Sequence, residues 1–171
     1  MTDPETFRIR PARTSDVAAI KSLVAPLAEQ RILMAKETVA YYESLQEFRI
    51  AESDAGEVIG CGALHVMWED LAEVRTLAAL DAWRGRGVGH VLVESLLEEA
   101  RELGVGRVFC LTFEVDFFKR HGFEVMADQT AVDPTVYSEL LRSHDEGVAE
   151  FLDLARVKPN TLGNTRMIKV L

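Results

Sequence analysis

The sequence has no apolar run of the length a membrane span requires, which excludes a transmembrane helix. It has two cysteines, Cys61 and Cys110, each inside an apolar, strand-like pattern. Two such residues make neither a disulfide framework nor a cysteine-rich metal centre, and both read as reduced, small core side chains. No metal site is expected. Basic residues are outnumbered 19 to 28, for a net charge of −9. That balance argues against a surface built for nucleic acid or anionic lipid. It also means that an anionic ligand must be held by a few local cations and by backbone amides. The first residues, Met1-Thr2-Asp3-Pro4-Glu5, lack the basic-then-apolar order of a secretion signal, so a cytoplasmic protein is the expectation. No repeat, low-complexity tract or linker interrupts the chain. Its 171 residues, 48% hydrophobic and 27% charged, predict a single domain over 1–171 with enough chain for a sizeable core.

Periodicity then supplies the elements. Residues 7–10 alternate as a first strand. Thr14, Ser15 and Asp16 offer caps for a helix buried through Val17, Ile20, Val24 and Leu27, with Pro26 set to kink or shorten its end. Residues 30–36 form an unpatterned connector, and a second helix carries Val39, Tyr42 and Leu45. Residues 46–52 and 58–68 read as strands joined by the turn Asp54-Ala55-Gly56-Glu57, and residues 71–79 as a third. Val88, Val91, Leu92, Leu96, Ala100 and Leu103 recur at helical spacing and predict one buried stripe ending near Gly104. Residues 107–112 are an almost wholly apolar strand, as a buried central strand requires. A short helix over 114–121 stops at Gly122, and residues 123–125 begin another strand. Residues 133–144 look helical, 147–154 are ambiguous, and 166–171 alternate as a terminal strand. The order predicts an α/β fold, a mixed sheet flanked by helices.

The stretch that organises this pattern is Arg84-Gly85-Arg86-Gly87-Val88-Gly89, between the strand 71–79 and the long helix. Its glycines let the backbone turn tightly and approach a ligand without a Cβ in the way. The amides of the following first helical turn have no intrahelical acceptor, and the helix dipole favours an anion there. A dinucleotide fingerprint would need a third glycine where His90 stands, and a P-loop would need Gly-Lys-Ser/Thr. Neither is present.

Arg84-x-x-Gly87-x-Gly89 resembles the acyl-CoA signature of the GNAT-type N-acetyltransferases. Phe117-Phe118-Lys119-Arg120-His121-Gly122-Phe123 is similar to the family's second motif, a short helix turning at Gly-Phe into a strand. More narrowly, the chain resembles the acetyltransferase domain of N-acetylglutamate synthases. The matching stretches are 32–36, 46–48, 59–65, 72–75, 109–112 and 166–171. The resemblance implies the GNAT fold, with a central, mostly antiparallel sheet. It further implies transfer of acetyl from acetyl-CoA to the α-amine of L-glutamate, the first step of arginine biosynthesis, with no acyl-enzyme and no metal. The substrates would be small molecules, with no nucleic acid or membrane partner, and a homodimer is left open. Many members also carry an amino-acid-kinase domain that binds arginine. The resemblance here is to a short, stand-alone form and does not imply direct arginine control.

Such chemistry has to grip acetyl-CoA, polarise its carbonyl, deprotonate an ammonium and hold carboxylates. By resemblance, Arg84, Gly85, Arg86, Gly87, Val88 and Gly89 supply the pyrophosphate amides. Leu77, Ala78 and Ala79 pair with the pantetheine arm, and Thr112 and Phe118 join this cofactor site. Many members place a tyrosine where Phe118 falls, to protonate the departing thiolate. Phenylalanine cannot do so, but a thiol of pKa about 8.5 leaves readily without an acid. Glu73 is the candidate base, acting through ordered water. Strand alternation sets Glu73 on one face with Arg75, Leu77 and Ala79; the alternative reading is an exposed Glu paired with Arg75. His65 is a second, less favoured base, with a structural role the competing reading. Cys110 and Cys61 lack a histidine–carboxylate constellation and read as core, Cys61 also as a wall of the substrate pocket. Lys36, Arg75 and Arg166 are the candidate carboxylate ligands. The match supports Lys36 and Arg166, and Arg75 rests on position alone. Many members carry Arg where Lys36 stands, so this contact would be a point charge rather than a fork. Two further readings stay open: transfer to another amine, such as glutamine or a protein N-terminus, and a non-catalytic acetyl-CoA sensor.

Overall fold

The computed structural model describes residues 6–127, 132–154, 157 and 163–171; the amino-terminal pentapeptide read for a signal lies outside them. Alternating side chains make β1 (Phe7–Pro11), which pairs antiparallel with β2 (Phe48–Ser53), Ile9 opposite Ala51. Gly56, at φ +82°, closes the hairpin from β2 into the antiparallel β3 (Val58–Trp68). β4 (Leu71–Ala79) pairs in parallel with β5 (Arg107–Thr112) through Leu71–Glu73 and Arg107–Phe109. β7 (Thr165–Val170) lies antiparallel to β5, and β6 (Glu124–Val125) antiparallel to β7. The result is a seven-stranded mixed sheet ordered β1-β2-β3-β4-β5-β7-β6. Among the described residues no helix is long and apolar enough to cross a membrane.

The chain groups into two compact units, Met1–His65 with Val74–Glu99, and Val66–Glu73 with Ala100–Leu171. In the first, α1 (Val17–Glu29) buries Val17, Ile20, Leu23 and Val24 against Phe48, Ile50, Cys61, Ala63 and Ala78. Pro26 sits in its last turn. The helix ends where Arg31 enters the left-handed region at φ 58°, and the Ile32 amide reaches back to Leu27 O at 2.8 Å. The short α2 (Thr38–Glu43) departs from the expected face: Tyr41 is its buried residue, against Phe48 at 6.1 Å, while Val39 and Tyr42 are exposed.

A separate core of Ala51, Ile59, Trp83, Val88 and Leu92 seats the start of α3 (Val88–Glu102). Two strand glycines allow that approach. A Cβ at Gly60 would stand 2.8 Å from Val88 Cγ1, and one at Gly62 3.0 Å from Leu96 Cδ1. The buried stripe of α3 differs from the expected one. Val93 and Leu97 are fully buried beside Leu92, Leu96 and Ala100, whereas Val91 and Leu103 are 44% and 58% exposed. Apolar residues occur on both sides of the stripe, so spacing alone did not fix which side faces inward.

The second unit packs Leu71, Phe109, Phe151 and Ile168 into its core. It holds α4 (Val115–Lys119), α5 (Pro134–Leu140) and α6 (Glu146–Phe151). α5 is capped by Asp133, whose carboxylate accepts the Thr135 amide at 2.8 Å, and it is shorter than the expected 133–144. The ambiguous stretch 147–154 resolves into α6, where every residue from Gly147 to Phe151 is buried. Residues 45–47 form a 3-10 turn, so β2 begins at Phe48 rather than at 46.

Asp16 starts α1 but does not cap it with its side chain. Its carboxylate instead takes a bidentate pair from Arg10 at 2.7 and 2.9 Å, and the Arg13 amide at 2.7 Å. Asp16 is buried and Arg10 half-buried, with Arg10 also on Glu52 at 2.7 Å, and the Arg10 hydrogen bonds hold the Asp16 carboxyl below its ordinary 3.8. Because the folded state lowers this pKa, the pair's stabilisation is complete above about pH 4 and is lost as acid protonates Asp16. Asp16→Ala leaves Arg10 short of its bidentate partner and is expected to cost about 3 kcal/mol, read as a lowered urea midpoint at pH 7. The difference from wild type should shrink in melts taken below the folded pKa.

Candidate functional site

The glycine loop begins behind Trp83, whose ring is buried and carries the Arg86 guanidinium at 4.5 Å from its centroid. Arg84 is exposed and turns to Asp81 at 3.2 Å. Gly85 and Gly87 adopt φ +79° and +82°, which favours glycine, and a Cβ at either would meet no heavy atom within 4 Å. These two glycines therefore serve backbone conformation and open space rather than packing. Gly87 O accepts the Val91 amide at 3.0 Å and so opens α3, and the amides of the helix's first turn have no intrahelical acceptor. Gly89 lies in that turn. The open turn and the helix dipole together suit a pyrophosphate.

The end of β4 lies beside this turn. From the Gly60 Cβ position, Ala78 O is 3.2 Å and Val88 Cγ1 2.8 Å away, so the loop and the strand end flank one residue of β3. Leu77 packs on the α3 side with Val88 and Leu92, Ala78 packs with the α1 cluster, and Ala79 is exposed. Thr76, between these residues and Glu73, sits at φ +57°. A β-branched residue in the left-handed region is strained and interrupts the strand's two-residue alternation. The expected common face of Glu73, Arg75, Leu77 and Ala79 therefore does not run through Thr76. Thr76 O accepts the Cys61 thiol at 3.4 Å, and Cys61 has no exposed surface. Burial pushes its pKa up to about 12.

In the other unit, Glu73 is 7% exposed, not an exposed strand residue. Its carboxylate lies against the backbone of Gly147 in α6. Cys110 on β5 is buried, and desolvation followed by the Glu73 charge holds its thiol well above the usual range. Neither cysteine has the thiolate character of a nucleophile. Arg166 on β7 is half-buried. It donates from Nε to Glu150 O at 3.0 Å and from Nη2 to Phe151 O, the terminal carbonyls of α6. Burial lowers its pKa, against the nearby Asp153 and Glu150 charges. Sequence placed Arg166 and Glu73 in one reaction; the structure sets Arg166 from β7 and Glu73 from β4 against the same six-residue helix, α6. Thr112 Oγ1 accepts the Glu114 amide at 2.8 Å and turns the chain into α4. There Phe118 is buried edge-on to Phe117 and Phe123 at 5.1 and 5.2 Å.

Lys36 and Arg75 are half-buried in the first unit, Lys36 in the connector before α2. His65 Nδ1 meets the Glu47 carboxylate, a contact consistent with a structural histidine. Among the described residues no group of three or more His, Cys, Asp or Glu side chains is placed to hold a metal ion. Sequence reasoning missed Gly147 and Thr76.

Residues 19–123 match the acetyltransferase (GNAT) family. The chain is 54% identical over 165 residues to an amino-acid acetyltransferase of Mycobacterium tuberculosis strain H37Rv, covering 95% of this chain and 94% of that protein. The solved structure of Rv2747 from Mycobacterium tuberculosis, in complex with CoA and NLQ, superposes with a TM-score of 0.91. It is 54% identical, with 96% of this chain and 99% of that chain covered. N-acetylglutamate synthase from Neisseria gonorrhoeae, complexed with coenzyme A and N-acetyl-glutamate, gives a TM-score of 0.76 at 23% identity, a likeness of fold. The match covers 99% of this chain but 36% of that one, so the chain spans about a third of that enzyme's length. With its family match over residues 19–123 and a relative 54% identical along nearly its whole length, this chain belongs to the GNAT acetyltransferase family.

Proposed function

We propose that the protein transfers acetyl from acetyl-CoA directly to the α-amine of L-glutamate, the first step of arginine biosynthesis. The observation that carries acetyl transfer to an amino acid is the 54% identity, over 95% of the chain, to an amino-acid acetyltransferase. Arg84–Gly89 would hold the pyrophosphate on backbone amides, and Leu77–Ala79 would pair with the pantetheine arm. Glu73 takes the proton from the substrate ammonium. The freed amine attacks the thioester carbonyl, the C–S bond breaks as the carbonyl re-forms, and CoA leaves as a thiolate that takes up the second proton, the one the attacking nitrogen sheds as it becomes the amide. Glu73 then returns its proton to water. The raised pKa values of Cys61 and Cys110 favour direct transfer over an acyl-cysteine. Lys36, Arg75 and Arg166 are the cations proposed to meet the substrate's two carboxylates.

Thiol release from acetyl-CoA, measured across free amino acids with glutamate and glutamine side by side, tests this. Glutamate is expected to give the highest kcat/KM. A preference for glutamine would keep the chemistry and remove the need for a second carboxylate partner. Tight acetyl-CoA binding without thiol release on any amine would overturn the enzymatic reading.

A further inference from the structure

We infer that Gly147 is a positioning residue for Glu73, fixing the carboxylate by the side chain it lacks. The inference rests on Glu73 being the base of the proposed reaction. A Cβ at Gly147 would overlap Glu73 Oε2 and stand 2.8 Å from its Cδ and 2.9 Å from Asp145 Oδ1. Glycine in a helix costs about 1 kcal/mol relative to alanine, so its place in the first turn of α6 has a packing cause, and Glu73 is what fills the space. The carboxylate therefore sits closer to the α6 backbone than any other residue at 147 permits.

α6 cannot withdraw to make room. Asp145 caps its start, accepting the Val148 amide at 3.1 Å, and is itself held by a hydrogen bond from its amide to Ser143 Oγ at 3.1 Å. Its far end is held by the Arg166 donors on Glu150 O and Phe151 O. Phe151 also packs edge-on against Phe109 at 5.6 Å, and Phe109 is the β5 residue registered with Glu73. With both ends anchored, a methyl group at 147 displaces the Glu73 carboxylate rather than the helix. A shift of this kind moves the proton acceptor by about the distance that costs orders of magnitude in positioned catalysis.

The test compares Gly147→Ala, Glu73→Asp, their double variant and Glu73→Gln, using kcat and the KM for acetyl-CoA. Gly147→Ala alone is expected to lower kcat by about tenfold to a hundredfold while the acetyl-CoA KM stays within about twofold. Aspartate is one methylene shorter and clears the new methyl. In the Glu73→Asp background the same substitution should therefore cost less than about twofold. Equal losses in both backgrounds would overturn the inference, since a purely structural defect does not depend on the length of residue 73. Should Gly147→Ala alone fail to fold, the double variant is judged against Glu73→Asp. Activity within about twofold supports the inference, and a loss of about tenfold or more overturns it. If Glu73→Gln keeps full kcat, the base assignment falls and this inference with it. If Glu73→Gln is impaired but Gly147→Ala is not, only the positioning role falls.

Discussion

Valine at position 87 is expected to raise the KM for acetyl-CoA about a hundredfold or more, because two or more charge-assisted amide–phosphate bonds are lost at roughly 1.5–3 kcal/mol each. The cause lies in the ligand-bound state. A Cβ at Gly87 meets nothing within 4 Å in the free protein, so the valine side chain clashes with no protein atom and occupies the space an anion needs. There is a separate cost from forcing a β-branched residue to φ +82°, about 1–2 kcal/mol of stability. Gly56→Val isolates that cost. Gly56 has the same φ of +82° and equally open surroundings, but it lies in the β2–β3 hairpin. Both variants should lose a similar few degrees of Tm, and only Gly87→Val should lose acetyl-CoA affinity, measured by KM and by calorimetric titration. An unchanged KM in Gly87→Val would remove the loop from the acetyl-CoA site.

The glycine loop was legible because its demands are local: φ above zero at Gly85 and Gly87, followed by a helix start. The apolar run of β5 and the alternation of β1 and β7 were legible for the same reason. Features that depend on distant partners were not. The alternation read along β4 fails at Thr76, since a left-handed residue is normally signalled by Gly, Asn or Asp and here is a threonine. The face of α2 was misjudged because six residues are too few for a period to emerge, and the ring of Phe48, beyond the helix, selects Tyr41. α6 was ambiguous for a similar reason. It is short, carries a glycine in its first turn, and is stabilised by burial and by Arg166 from β7. The sequence alone points Arg166 at a substrate carboxylate. That two of its nitrogens serve α6 carbonyls follows only from the β5–β7 register and the path of the intervening chain.

Glu73→Gln is expected to lower kcat by about 10² to 10⁴, the range for loss of a positioned general base. The substitution keeps the side chain's length and shape, so the contact with the Gly147 backbone and the packing beside Phe109 persist. The Tm should change little. Only the ability to take a proton goes. A substrate ammonium near neutral pH carries its proton almost all the time, so without an acceptor the reaction depends on the small fraction of free amine. That fraction rises tenfold per pH unit while most of the amine is protonated, and the variant should regain rate with rising pH more steeply than the wild type. The acetyl-CoA KM should stay within about twofold, because Glu73 precedes Thr76 on β4 and the strand end that would bind the pantetheine arm follows it. Relief at the neighbouring Cys110 gives an independent check that Glu73 is charged in the folded protein. Removing the carboxylate charge should lower the Cys110 thiol pKa from its raised value, measured by thiolate absorbance as pH rises. The shift should be partial, since burial is the larger cause and glutamine does not change it. A variant with wild-type kcat and an unchanged pH profile would transfer the base role away from Glu73, with His65 the next residue to replace.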